Sequence, residues 1–405
     1  MDHKTILLAP ERKAALDAGF AAAFGGAPSR YFSAPGRTEL SGNHTDHQRG
    51  CVLAAAVNLD MQAAVRPNGT DTVRILSQGY PMSQVSLREL EPVAAEINTT
   101  PALIRGVAAR FVQLGCKVEG FDAYMESTVL PGSGLSSSAA FEVLMGTIMN
   151  HLFFDGRVSQ PEIAMIGQYA ENVFFGKPCG LMDQTASSVG GMVTIDFGDK
   201  DNPVIQPVDF DFAACGHALC IIDSRASHAD LTDEYAAIPN EIKSVCDYFG
   251  KEVLRQIPKA DFWKAIPQLR QQCGDRAVMR CVHFYQENDR VQQQVAALRA
   301  GDFAAYLQLM KQSGYSSYMY LQNVIPAGYK AHQDMAIALA LCEEHLQGRG
   351  GYRVHGGGFA GTVQAFVPFD MLEDFRAGID GVLGECACHV LSIRPQGGVE
   401  AVYPE

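Results

Sequence analysis

The stretch that most constrains this chain is VLPGSGLSSSAAFEVLM at residues 129–145. An apolar run over 121–130, carrying Tyr124 and Val129, reads as a strand, and Pro131, Gly132, Ser133, Gly134 and Leu135 then turn the chain. Three hydroxyls follow, Ser136, Ser137 and Ser138, after which Ala139, Ala140, Phe141, Val143, Leu144, Ile148 and Leu152 keep helical spacing. A helix that opens this way leaves its first amides unpaired, and glycine lets the backbone come close to a ligand. Those amides, with the positive end of the helix dipole, suit an anion, typically phosphate. The plain alternative is a serine-capped helix with no ligand. No Lys-Ser or Lys-Thr follows the glycines, so this is not a Walker-type loop.

The densest polar cluster lies upstream, in YFSAPGRTELSGNHTDHQRG at 31–50. A strand over 31–34 is expected to end at Pro35-Gly36-Arg37, leaving Glu39, Asn43, His44, Asp46, His47 and Arg49 in a loop braced by glycines. Loops so rich in hydrogen-bonding side chains usually bind something. His44, Asp46 and His47 are also zinc-ligand types, but no HxxxH or cysteine pair completes such a site. Downstream, FFGKPCGLMDQTASSVGG at 174–191 places Glu171 near a helix end and Asp183 in the first turn of the next helix. An acid there is often plain dipole compensation.

Elsewhere the pattern predicts helices over 10–24, 102–114 and 160–174, and strands over 52–57, 61–66, 73–77, 192–197 and 219–223. The character of the chain changes near 205, dividing it into 1–205 and 206–405. A polar loop after residue 223 holds Arg225, His228, Asp233 and Tyr235; residues 236–346 read as helical, with the only tryptophan, Trp263, expected in the core. YRVHGGGFAGTVQAFVP at 352–368 formally contains GxGxxG at Gly356, Gly358 and Gly361. A β-branched alternating run follows instead of a helix, so a hairpin is expected and not a dinucleotide turn. A helix over 369–380 and a strand over 389–393 close the chain.

The formal charge of −13 disfavours nucleic acid and anionic membranes as partners, so an anionic ligand must be met by amides, a cation or a local basic group. Eleven scattered cysteines without zinc spacing, and an N-terminus without a secretory signal, point to a reducing cytoplasm. No run approaches the ~18 apolar residues of a spanning helix.

Three glycine-bearing segments now stand in order, PGRTELSGNHTDH, PGSGLSSSAA and HGGGFAG. Together with CGLMDQ they resemble the GHMP small-molecule kinases, most closely the galactokinase branch, from about residue 31 to residue 395. The resemblance implies an α+β fold of two domains, the first like ribosomal S5 domain 2 and the second ferredoxin-like, with the active site in the cleft between them. It implies phosphorylation of a galactose-like sugar at its anomeric hydroxyl, with ATP as co-substrate and Mg²⁺. Residues 131–139, Pro131 to Ala139, would cradle the ATP phosphates. Arg37 would steady the transferring phosphoryl group, and Asp183 would take or orient the proton of the anomeric hydroxyl. Ser138, with Ser137 beside it, and Glu171 would hold the metal. Asn43, His44, Asp46, Gly180 and Tyr235 would contact the sugar. The partners implied are a sugar and ATP, with the oligomeric state, a monomer included, left open.

The chain departs from the galactokinase pattern in three places. Asn43 stands where galactokinases carry Glu near the sugar C6 hydroxyl, His47 stands where they carry Tyr, and Tyr235 is followed by AAIPNEI in place of an arginine pair. Losing the Glu exchanges a charge-assisted bond for a neutral one, roughly 1 kcal/mol. For a sugar with a C6 carboxylate the change is favourable, since two anions ~4 Å apart repel by about 4 kcal/mol at an effective dielectric near 20. Galacturonokinases also lack that Glu and share the Asp-His-Gln of Asp46, His47 and Gln48. Galactose is therefore the first expectation and a C6-altered sugar such as galacturonate the second. A sugar- and ATP-binding regulator without catalysis is a third, against which the complete SSSAA loop, Arg37 and Asp183 argue. A mevalonate-type kinase is a fourth, disfavoured by the HTDH loop.

Overall fold

The computed structural model describes residues 5–129, 134–177, 179–200, 202–227 and 231–402. The strands within them are β1 (Thr5–Leu7), β2 (Arg30–Ser41), β3 (Cys51–Pro67), β4 (Thr72–Ser77), β5 (Ser83–Ser86), β6 (Phe121–Ser127), β7 (Met192–Asp196) and β8 (Val204–Pro207). They continue with β9 (His217–Asp223), β10 (Gly351–His355), β11 (Thr362–Pro368), β12 (Cys388–Leu391) and β13 (Val399–Val402). The helices of the first half are α1 (Pro10–Phe24), α2 (Thr100–Gln113), α3 (Ser137–Phe153), α4 (Gln160–Tyr169) and α5 (Met182–Val189). Those of the second half are α6 (Thr232–Tyr248), α7 (Lys259–Gln272), α8 (Asp275–Arg299), α9 (Phe303–Ser316), α10 (Asp334–Leu346) and α11 (Leu372–Leu383).

Local chemistry sets several boundaries. Proline in the first turn, where its missing N–H costs nothing, starts α1, α2 and α4. Ser159 and Glu162 close a reciprocal capping box on α4. The predicted 160–174 helix is α4 followed by a wider π-type turn over Ala170–Phe175, which ends at Gly176 with φ 85°.

A nine-stranded sheet runs β1-β13-β2-β3-β6-β4-β5, with β7 on β3 and β8 on β7; a four-stranded antiparallel sheet runs β10-β11-β9-β12. The predicted boundary near 205 is not a clean cut between them, because β8 pairs β7 and β13 returns from the C-terminus to pair with β1 and β2.

β2 and β3 correct the expected boundaries. The strand that should have stopped at Pro35 continues through Arg37 to Ser41, and the two strands expected over 52–57 and 61–66 are one strand of 17 residues. The pairing slips between Pro35 and Arg37 and again between Glu39 and Ser41. A bulge tolerates proline and bends the strand, so the sheet passes a polar interruption without ending. The result is functional: Arg37 and Glu39 sit on a rigid strand, not a loop.

The end of β3 over 51–57 is buried on both faces, which explains its unbroken apolar sequence. Leu53, Ala55 and Val57 pack toward Val291 and Val295 of α8, while Val52 and Ala54 pack toward Met182 and Ala186 of α5. Trp263 is not core: on α7 it is 44% exposed, leaving the buried face to Phe262 and Leu269. The glycine segment at 356–361 joins β10 to β11 as the hairpin expected. Among the described residues no helix is long and apolar enough to cross a membrane.

Candidate active site

The site forms where the bulged end of β2, the start of α3, the start of α5 and the β10–β11 hairpin converge. Arg37 and Asp183 make a two-pronged ion pair, Nε to Oδ1 at 2.6 Å and Nη2 to Oδ2 at 2.7 Å. The third guanidinium nitrogen, Nη1, donates to the Gly134 carbonyl, and the Arg37 backbone N–H donates to Leu135 O at 3.0 Å. One residue thus ties the glycine–serine bend to the acid at the head of α5. Arg37 is nearly enclosed, its side chain 8% exposed, while the Asp183 side chain keeps 30% exposure. Burial pushes the Asp183 pKa up, but the charge and hydrogen bonds of Arg37, helped by the Ser136 hydroxyl, outweigh it and hold the carboxyl below its ordinary value. Asp183 is therefore an anion at neutral pH.

Gly134 has φ 71°, and a Cβ there would meet the His355 ring and Thr362 Oγ1 at 3.2 Å. Ser136, also left-handed at φ 56°, is the residue before α3 but makes no side-chain cap. Its hydroxyl instead helps hold the Asp183 carboxyl below its ordinary pKa. Ser137 and Ser138 are half-exposed, and no described residue accepts a hydrogen bond from the backbone N–H of Ser137, Ser138 or Ala139. Pro131, Gly132 and Ser133, expected in the same loop, lie outside the described residues.

Glu171, in the turn after α4, is buried beside Glu142 of α3, four positions on from Ser138. The Gln184 amide Nε2 donates to both carboxylates at 2.9 Å, and Lys177 Nζ reaches Glu171 Oε1 at 3.3 Å. Burial, then the neighbouring Glu171 charge, pushes the Glu142 pKa well up, and its Oε1 has no partner. An acidic pair with an orphaned oxygen, one turn along α3 from Ser138, is a donor set that fits a hard divalent cation.

The expected sugar contacts separate into two groups. His44, Asp46 and Tyr235 are half-buried. His44 Nε2 meets Gly357 O at 3.0 Å, and burial pulls its pKa down to about 4, so the ring is neutral. Asp46 lies against Gly180, where an added Cβ would sit 2.1 Å from Oδ2. Tyr235 donates to Gly358 O at 2.8 Å and stands edge-on to Phe359.

Asn43 corrects the expectation: it is fully buried and its amide faces inward. Its Nδ2 donates to Gly356 O at 2.5 Å and Glu39 Oε1 at 3.2 Å, while Oδ1 accepts from Asn323 at 2.8 Å and Ser317 at 3.3 Å. With both ends engaged, the amide shapes the loop from below and offers no group to a ligand.

Several residues of the site were not singled out from sequence. Arg353 of β10 pairs with buried Glu39 of β2. His355 accepts the Glu39 N–H on Nε2 at 3.2 Å and hydrogen-bonds Thr362 through Nδ1 at 2.9 Å. Burial and the nearby Arg37 and Arg353 hold it neutral. The signal was present in YRVHGGG, whose Arg and His alternate along the strand that leads into the glycines.

Comparisons to known proteins bear on the family and the fold. The family model for the GHMP kinases N terminal domain matches residues 102–191, and that for the galactokinase galactose-binding signature matches residues 18–67. A galactokinase of Streptomyces coelicolor is 31% identical over 362 residues, 89% of this chain and 88% of that one. A galactokinase of Actinobacillus pleuropneumoniae serotype 3 is 31% identical over 359 residues, 88% and 90% of the two chains. Among solved structures, Lactococcus lactis galactokinase complexed with galactose superposes with a TM-score of 0.81 at 24% identity, covering 96% of this chain and 99% of that one. A mevalonate kinase superposes less closely, with a TM-score of 0.64 at 14% identity. Motifs, fold and relatives agree, and the chain belongs to the GHMP kinase family, in its galactokinase branch.

Proposed function

We propose that this protein transfers the terminal phosphoryl group of ATP to the C1 hydroxyl of galactose, giving galactose 1-phosphate and ADP. The observation that carries this reading is the Arg37–Asp183 pair, bonded on one side to the glycine–serine bend and with its carboxylate still partly exposed. Relatives called galactokinase align over nearly nine-tenths of the chain, which supports galactose as the sugar.

Phosphoryl transfer asks the protein for position and charge neutralisation. The backbone amides at the start of α3, which no described residue engages, receive phosphate oxygens. Glu171 and Ser138 would hold Mg²⁺, which supplies further neutralisation of phosphate charge when bound. Asp183 accepts a hydrogen bond from the C1 hydroxyl and receives its proton as the C1 oxygen bonds to phosphorus and the bridging oxygen leaves with ADP. A carboxylate with a depressed pKa is a weak base, so Asp183 mainly orients the hydroxyl and takes the proton late. Arg37 steadies both the carboxylate and the moving phosphoryl group. His44, Asp46, Gly180 and Tyr235 hold the sugar. Residues 1–205 thus bring both loops and 206–405 the hairpin and Tyr235. All eleven cysteines are free, which supports the cytoplasm as the compartment.

A second reading, a sugar with a C6 carboxylate, rests on the lack of free negative charge under the loop: Asn43, buried beneath it, is neutral, and the nearby Glu39 is already paired with Arg353. A panel of sugars with ATP–Mg²⁺, scored by kcat/KM, tests both: galactose should rank first, and galacturonate ahead by about tenfold, 1.4 kcal/mol, would replace it.

Gly180→Ala provides a separate check. The new methyl would overlap Asp46 Oδ2, moving a sugar ligand by a large fraction of an ångström. The expected result is a sugar KM raised about tenfold or more with the ATP KM nearly unchanged. An unaltered sugar KM would remove Asp46 and Gly180 from the sugar site.

A further inference from the structure

The long helix α8 carries a feature that the phosphoryl-transfer chemistry does not use. Arg280, His283, Glu287 and Arg290 follow one another at intervals of three, four and three, so they share one face, and all four are buried. The buried face of a helix is normally apolar, and a polar one is costly unless its groups are partnered. Here the partners of the two central residues lie in the loop that carries the sugar ligands.

His283 Nε2–H donates to the backbone carbonyl of Asn43 at 2.9 Å, while its Nδ1 is engaged by Ser316 Oγ at 2.9 Å. Glu287 Oε1 accepts from the Gly42 N–H at 3.2 Å, Ser41 Oγ at 3.3 Å and Ser313 Oγ at 2.6 Å, and Oε2 is held by Arg290. One position further, Asn288 Oδ1 accepts from the Cys51 N–H at 2.8 Å, where the loop rejoins β3. Phe284 closes the gap between them: a Cβ on Gly50 would stand 3.0 Å from its ring. Both ends of the segment from residue 41 to residue 51 are thus pinned to α8, which belongs to the other half of the chain. Burial pushes the Glu287 pKa up, but Arg290, His283 and Arg353 more than reverse it, to about 2, so the acceptor stays ionised at any working pH.

We infer that α8 is the positioning element of the sugar loop, and that Glu287, a residue that touches no substrate, sets sugar affinity by fixing the backbone at Gly42 and Asn43. His44 and Asp46 follow within four residues of the Gly42 amide, and a displaced anchor moves both. The start of α3 and the Arg37–Asp183 pair are held by other contacts, so the nucleotide side does not depend on this anchor. This inference rests on the reading of 43–48 as a sugar loop.

The test compares the wild type with Glu287→Gln, which keeps the shape but removes the charge and turns one acceptor into a donor. The sugar KM should rise about tenfold or more, with the ATP KM within about twofold and kcat within about threefold. In thermal shift, added sugar should stabilise the variant less than the wild type, and added nucleotide equally. A folded Glu287→Gln protein with a lower Tm but an unchanged sugar KM would overturn the inference, as would equal increases in both KM values. If that variant does not fold, Asn288→Ala removes the hold on Cys51 without stranding a charge. A sugar KM raised about threefold in Asn288→Ala supports the inference, and an unchanged one overturns it. Failure of the wild type to phosphorylate any sugar would instead reject the function itself, so the two failures are distinguishable.

Discussion

Replacing Asp183 by Asn lowers kcat by about a thousandfold while the nucleotide Kd stays within about threefold. The substitution keeps the shape of the side chain and one acceptor for Arg37, but the amide cannot receive a proton and presents N–H to one prong of the guanidinium. Of the pair, only Asp183 is appreciably exposed, so the loss falls on the reacting hydroxyl. The nucleotide is met by the backbone amides at the start of α3, none of which bonds to the acid. Alanine is the poorer test, because it leaves Arg37, 8% exposed, with a buried and uncompensated charge. The check is steady-state kinetics with equilibrium nucleotide binding on the same preparation. Near-normal kcat in Asp183→Asn would remove Asp183 from the proton transfer.

The second large effect is at Arg37, and it falls on a substitution usually thought mild. Lysine keeps the charge yet loses the planar fork that meets both Asp183 oxygens and the Gly134 carbonyl at once. An ammonium can satisfy one of these directions well, so either the glycine–serine bend or the acid is released. Arg37→Lys is expected to lower kcat by about a thousandfold, comparable to loss of an arginine that neutralises a transferring phosphoryl group. Its Tm should fall as well, since the residue ties β2 to two other elements. If lysine restored activity to within about tenfold, the role would be charge alone and the fork geometry irrelevant.

The convergence of Arg37, Asp183 and the 134–139 bend was legible in the chain, because each depends on a local device: a glycine turn, a helix start, a short motif. The hairpin at 356–361 was legible for the same reason, since β-branched alternation after the glycines excludes a helix. What the chain did not disclose depends on distant partners. Asn43 read as a sugar ligand from its neighbours in sequence, but Ser317, Asn323 and Gly356, all far along the chain, capture its amide. β2 ran past Pro35 because β3 accommodates a bulge opposite it, a property of the pair and not of either strand. Trp263 read as core on size alone, yet α7 buries only the face carrying Phe262 and Leu269. The polar face of α8 is an intermediate case: its spacing was visible, and its meaning required knowing that the loop at 41–51 lies against it.

The identity of the phosphorylated oxygen tests the central claim most directly. Galactose, ATP and Mg²⁺ are incubated with the protein, and the product is read by ³¹P NMR with coupling to the sugar protons. The account predicts a single phosphate coupled to the anomeric proton, formed in step with ADP. A phosphate on C6, or ADP released with only inorganic phosphate, would contradict it.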